Sequence, residues 1–409
     1  MTESITAAPP RRAALIFIFV TILLDMLSLG MVMPVLPKLV ENFMGGDTAR
    51  AAEVFGLFGT AWALMQLLFS PVLGALSDSH GRRPVVLISN FGLGIDYVLM
   101  ALAPNLWWLF VGRILSGISA ATISTGFAYV TDVTPPEKRA ASFGMLGAAF
   151  GIGFILGPGI GGILGAVDPR LPFWVAAALS ILNGLYGLLV LPESLPIERR
   201  MRFRWRRANP FGALKLLRSH PELSGVATAK FLADLSHVVL PSVYVLYVSY
   251  RYAWDERAIG LTLAVVGACS LIVQAGLVGP IVKRFGERRA LLFGLVGGVC
   301  GFFVFGAAAT GAWFMLGIPL LALWGIAGPS TNGLMTRRVS PSEQGQLQGA
   351  NSSIQSIANL VGPFLFALTF SYFIGAGGAL HLPGAPFLLA ALLLALSTVI
   401  AWRATRPGD

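Results

Sequence analysis

Twelve apolar runs, each near the roughly 20 residues a helix needs to cross hydrocarbon, punctuate this sequence and dictate what it can fold into. They fall at residues 14–36, 54–76, 85–103, 106–130, 142–166 and 173–191, and then at 224–249, 259–282, 290–309, 313–334, 347–374 and 386–402. Only helices and closed barrels satisfy every backbone group in lipid, and these runs are about twice the length of a barrel strand, so each is expected to be a transmembrane helix. The predicted fold is an all-α membrane protein of twelve transmembrane helices in two pseudo-symmetric six-helix bundles, residues 1–191 and 221–409, joined by a basic cytoplasmic loop at 192–220. With 56% apolar and only 12% charged residues among 409, no separate soluble domain fits and an ordinary soluble enzyme is excluded.

The basic residues orient the chain. With the amino terminus inside, 22 of the 29 lysines and arginines fall on the inner side, whereas Lys38, Arg50, Arg170, Arg251 and Arg257 fall outside and Arg113 and Lys230 lie within spans. By the positive-inside rule both termini are cytoplasmic, in a multi-pass protein of the inner membrane. The net charge of +10 is then a topology signal beside lipid headgroups, not a nucleic-acid footprint. The apolar stretch after Arg11 and Arg12 is too long for a signal-peptide core and is read as retained.

Chemistry of other kinds lacks residues to carry it. Cys269 and Cys300 both sit inside apolar runs, and the four histidines include no pair at i and i+4, so neither a disulfide framework nor a metal centre is expected. No GxSxG, HExxH or Walker loop occurs, so the chain is read as a non-enzyme without cofactor. A proton gradient is the available energy source, each charge crossing 100 mV being worth about 2.3 kcal/mol.

The two halves repeat one another. Gly74-Ala75-Leu76-Ser77-Asp78-Ser79-His80-Gly81-Arg82-Arg83-Pro84 follows the second run, and Gly279-Pro280-Ile281-Val282-Lys283-Arg284-Phe285-Gly286-Glu287-Arg288-Arg289 follows the eighth. Gly157-Pro158 in the fifth run is matched by Gly362-Pro363 in the eleventh. Such repeats predict a pseudo-twofold axis along the membrane normal and a cavity between the halves. Gly74 permits close helix approach, Asp78 can face the positive end of a helix from the other half near Gly345, and Gly157-Pro158 implies either a kink or a seam of small residues. These charges can also be read as loop solubility and topology signals alone.

The loop Gly74 to Pro84 is similar to the signature of the major facilitator superfamily. Asp25 with Pro34-Val35-Leu36-Pro37, Gln66, Ile95-Asp96-Tyr97, Gly112-Arg113, Lys283-Arg284-Phe285-Gly286-Glu287 and Gln344-Gly345-Gln346-Leu347-Gln348-Gly349 resemble the bacterial tetracycline/proton antiporters over nearly the whole chain. The resemblance implies a cytoplasmic latch in which Arg82, beside Arg83, bridges to Asp132, and a fifth-span seam at Gly157 and Pro158 that favours export. The second half departs from that pattern: Ser270 and Gly298 stand where those antiporters carry the His and Asp implicated in proton coupling.

Ionisable groups in mid-span are costly, roughly 2.5 to 3.5 kcal/mol each at the bilayer centre, and demand a partner or water. Asp25 and Arg113 are expected to face the cavity, with Asp25 a protonation site, or to form a purely structural ion pair. Asp96 is either a cavity residue or close enough to the outer end to be solvated. In the seventh run Lys230, Asp234 and His237 lie at i, i+4 and i+7 on one helical face. The expectation is a Lys230–Asp234 pair, a titrating His237 and, through Pro241, a free carbonyl at His237, so that coupling moves to this span; the alternative is that Lys230 snorkels to the headgroups and the other two bind substrate. Gln66, Ser124, Gln274, Asn332, Asn351 and Gln355 are candidate substrate-binding groups, or interhelical hydrogen bonders. Together these residues predict a monomeric, proton-coupled exporter of a small amphiphilic drug-like compound, tetracycline among the candidates, with the bilayer and protons as its partners. An importer of a nutrient, peptide or lipid-like solute and a non-transporting receptor are the alternatives.

Overall fold

The computed structural model describes residues 11–135, 138–203, 209, 212–340, 343–375 and 380–406, and no strand occurs among the described residues. Part of the basic central loop, at 204–208 and 210–211, lies outside them. The spans are α1 (Leu15–Phe43), α2 (Thr48–His80), α3 (Arg82–Leu102), α4 (Leu106–Val133), α5 (Ala141–Val167), α6 (Leu171–Val190) and α7 (Glu222–Tyr252). Then come α8 and α9 within one continuous stretch (Glu256–Ala307), and α10 (Gly311–Thr336), α11 (Gln344–Ile374) and α12 (Ala385–Ala404). The 52 residues of that stretch would measure about 78 Å at 1.5 Å per residue, far more than the roughly 30 Å of hydrocarbon. It turns at Gly286, so α8 is 256–285 and α9 is 287–307.

Gly286 shows how deep the internal repeat runs. Its backbone, φ +79° and ψ 161°, matches that of Gly81 between α2 and α3, at φ +108° and ψ 163°. A side chain is strained at positive φ, so glycine is what lets both halves reverse direction at the same place. At the opposite face, helix starts are set by side-chain caps. Asp47, Asn105, Asp255 and Thr310 accept from the backbone N–H groups of Arg50, Trp107, Ala258 and Trp313 and so begin α2, α4, α8 and α10.

Spans α1 to α6 pack on one another, as do α7 to α12, and the halves meet mainly through α5 against α8 and α2 against α11. Those two seams are built from glycine, and they are tight at one end only. Because an even number of spans returns the chain to its starting side, the two faces are called here terminal and far. In the far half, a Cβ on Gly56 would strike Ala367, one on Gly59 would lie 2.9 Å from Pro363 Cβ, and one on Gly260 would strike the Pro158 carbonyl. Towards the terminal face, added Cβ atoms on Gly74, Gly144, Gly147, Gly276, Gly279 and Gly345 would meet nothing within 4 Å. Ala52 and Phe55 of α2 join the hydrophobic core of the second half at the far end. The halves are therefore sealed on the far side and parted on the terminal side.

Candidate functional site

Four spans lose regular α-helix part-way along their length. α4 is interrupted at Ala120 and Ala121, where the Ser124 hydroxyl donates to the Ala121 carbonyl at 3.1 Å. α7 breaks at Val238, because Pro241 has no N–H to offer the carbonyl of His237. α8 contains a π-helical turn, Val273–Leu277, and α10 a 3-10 turn, Leu323–Ile326. Discontinuous spans of this kind re-aim side chains and backbone groups at the bilayer midplane.

The breaks in the second half gather its polar side chains. Lys230 Nζ donates to Asp234 Oδ2 at 2.8 Å, as the i, i+4 spacing predicts, and the two side chains are 18% and 21% exposed. His237 is exposed although it lies mid-span on α7, with its ring 5.4 Å from that of Trp324. Trp324 also covers Gly298: a Cβ there would lie 3.0 Å from Trp324 Cγ and 2.6 Å from Leu394 Cδ2. The ninth-span position where the resemblance expects an acid thus has no room for one, and the indole that fills it rests on His237. Asn351 Nδ2 donates to Asn332 Oδ1 at 3.3 Å between α11 and α10. Gln274, on the π turn, lies beside Gly325, and Gln274, Asn332 and Gln355 are exposed. On the first half, Ser124 is exposed and Gln66 half-buried.

The first half differs from expectation. Asp25 is 5% exposed, with the Thr122 side chain as its one polar neighbour, so it is closed off from the space between the halves. Arg113 does not pair with it. Its Nη2 lies 3.6 Å from Asp96 Oδ2 and 3.4 Å from Met100 Sδ. The reason is Gly112, where a Cβ would lie 2.7 Å from Asp96 Oδ1; its absence lets α3 bring that carboxylate against α4. Asp96 is fully buried rather than solvated near the outer end, since it lies nearly two turns inside α3 and faces the bundle interior. Gly157 and Pro158 make a seam and not a break: α5 is continuous through them, with Gly157 against Gly30 of α1.

At the terminal face Arg82 joins three groups, with Nη1 2.6 Å from Asp78 Oδ1 and 3.0 Å from Ser77 Oγ, and Nε 3.0 Å from Asp132 Oδ2. Asp78 is held within its own half instead of meeting the start of α11, and Gly74 mediates no helix approach, because the halves are parted there. Arg83 donates to the Leu188 carbonyl at 2.6 Å. Sequence reasoning missed Glu193. Its carboxylate accepts from the backbone N–H groups of Arg82 and Arg83, at 2.8 and 3.2 Å, and so caps the start of α3 from the central loop. The signal was an acid directly after the sixth span in a predominantly basic loop. Trp324 was missed because nothing in its own neighbourhood of sequence points to His237.

A paired-bundle, twelve-span architecture with discontinuous helices has a family. The sequence profile of the Major Facilitator Superfamily matches residues 18–363 and 226–409. The chain belongs to the Major Facilitator Superfamily. Within it, the chain is 40% identical over 353 residues to the class C tetracycline resistance protein of Escherichia coli, covering 86% of this chain and 88% of that one. It is 36% identical over 374 residues to the class G tetracycline resistance protein of Vibrio anguillarum, covering 89% and 92%. Among solved structures, the human organic anion transporter MFSD10 shares the fold, with a TM-score of 0.70, 24% identity, and coverage of 96% of this chain and all of that one. As a member of the Major Facilitator Superfamily the protein is a multi-pass membrane transporter of small molecules and not an enzyme.

Proposed function

We propose that this protein exports a small amphiphilic drug-like compound, with tetracyclines the first candidates, in exchange for protons by alternating access in the inner membrane. The observation that carries the reading is the placement of Lys230, Asp234 and His237: ionisable groups deep in a span that keep exposed surface, in a molecule whose halves part towards one face. The charge tally supports a cytoplasmic terminal face, and on that reading the conformation is open inwards. The relatives named for tetracycline resistance support the substrate class. In this state a cytoplasmic compound meets Trp324, Gln274, Asn332 and Gln355, an aromatic surface ringed by neutral hydrogen bonders. Asp234 is the coupling carboxylate: it holds Lys230 when ionised and releases it when protonated, so substrate and proton bias the same pair in opposite directions. Asp25 is a second protonation site, in the other half.

Transport of tetracycline into everted membrane vesicles tests this. Accumulation that requires an inside-acid gradient and collapses with a protonophore is the expected result. Accumulation that survives collapse removes the coupling, and movement of solute only in the opposite direction makes the protein an importer.

A further inference from the structure

The interior of the first bundle is polar to a degree that substrate export does not require. Asp25 and Ser28 on α1, Asn90 on α3, Thr122 and Thr125 on α4 and Ser180 on α6 are each 5% exposed or less. The side-chain polar atoms of Ser28, Asn90, Thr125 and Ser180 lack a hydrogen-bond partner in the protein, and Asp25 and Thr122 have only each other. Thr21 Oγ1 donates to Asn183 Oδ1 at 3.1 Å, tying α1 to α6 in the same region, yet Asn183 Nδ2 is left over. The helices bearing these groups surround one interior, since α1 packs on α6 and α4, and α3 packs on α6 and α4. The stripe from Thr21 to Ser28 alone is about 10 Å long at 1.5 Å per residue.

In the second bundle, among the described residues, only Tyr244, Glu287 and Asn351 carry such atoms. A buried polar atom without a hydrogen bond forfeits its hydration with nothing in return, so a cluster this size is tolerable only if something else supplies the bonds. Ordered water does so, each molecule typically making about three. We infer that the first bundle holds a chamber of ordered water among these side chains, and that this water, rather than the space between the halves, exchanges protons with Asp25. The chamber's titratable neighbours are Asp25, Tyr97, and the Asp96–Arg113 pair. A proton leaving the Asp25 carboxyl passes to an adjoining water oxygen and returns by the same contact. The proton-exchange half of this inference rests on the coupling proposed above; the water itself does not.

Radiolytic hydroxyl-radical footprinting of the full chain in proteoliposomes reads the water directly. Tyr97 and Tyr247 are 3% and 0% exposed, and the Tyr247 hydroxyl donates to the Phe305 carbonyl in a tightly aromatic core. Tyr97 is expected to be modified at least about tenfold faster, because the radicals form from water beside it. Equal protection of the two overturns the inference without touching transport. Thr125→Val together with Ser180→Ala should slow both Tyr97 modification and proton-driven accumulation, the latter about tenfold, with substrate counterflow unchanged as proof of folding. If Tyr97 modification falls but accumulation does not, while Asp25→Asn abolishes accumulation, the water is not the route. If Asp25→Asn also accumulates normally, it is the role of Asp25 in coupling that fails.

Discussion

The first span of each half carries polar groups at the same spacing: Thr21, Asp25 and Ser28 on α1, and Lys230, Asp234 and His237 on α7. On α1 all three are buried inside the bundle, whereas on α7 the lysine and aspartate are partly exposed and the histidine exposed. The surroundings divide in the same sense. The second bundle has a dry aromatic core, with Phe305 and Phe314 stacked 4.0 Å apart and Phe387 and Tyr247 against them, and keeps its ionisable groups on an accessible face. The first keeps its ionisable groups inside. One backbone repeat, down to the conformations of Gly81 and Gly286, thus supports two chemistries. What duplication preserved is the path of the chain, while side chains were free to divide the work.

The sharpest break of that comparison is Asp234→Asn. If the exposed triad performs the coupling, this variant loses proton-driven accumulation entirely while retaining substrate counterflow. Undiminished uphill transport would return the coupling role to the buried half.

Next in size is the cost of removing a cation from each half. Arg113→Leu leaves Asp96 as an uncompensated buried carboxylate, a loss of about 3–5 kcal/mol, and the double variant with Asp96→Asn should recover most of it. Lys230→Leu removes a partner from a carboxylate whose side chain is 21% exposed, and the water that reaches it makes the loss smaller than that of Arg113→Leu. Thermal unfolding in detergent, followed by fluorescence-detected size exclusion, compares the two. Equal shifts would show that the halves do not differ in how they solvate charge.

Much of this architecture was legible in the sequence, and the limit has a physical cause. Run length and the asymmetry of lysine and arginine give twelve spans because lipid allows a backbone so few solutions. The Lys230–Asp234 pair was legible because residues four apart on one helix must be neighbours. The partner of Arg113 was not: the sequence reading offered Asp25, and it is Asp96 that lies against the guanidinium. The choice turned on Gly112, whose missing side chain decides how closely α3 approaches α4. The contact of His237 with Trp324 joins spans 87 positions apart, and no helical periodicity reports it. Asp78 and Gly74 were read for a conformation in which the terminal face is closed, and the parted face gives them other partners or none.

The smallest effect concerns the place where the halves touch. Ser371 Oγ on α11 donates to Glu53 Oε1 on α2 at 2.6 Å, across the sealed far side. Glu53 is an exposed residue, so this bond contributes about 0.5–1.5 kcal/mol, which alters the balance between conformations by up to about tenfold. Glu53→Ala should therefore populate a form opened on the far side, whereas Glu53→Gln, whose amide oxygen still accepts from Ser371, should not. Spin labels at Leu57 and Leu368, both exposed on the same two spans, report the separation once Cys269 and Cys300 are replaced. A second, longer distance in Glu53→Ala and none in Glu53→Gln is the expected result. If neither variant alters the distance distribution, the glycine seams hold the far side closed unaided, and the halves are then joined by packing and not by a polar bond that a proton could release.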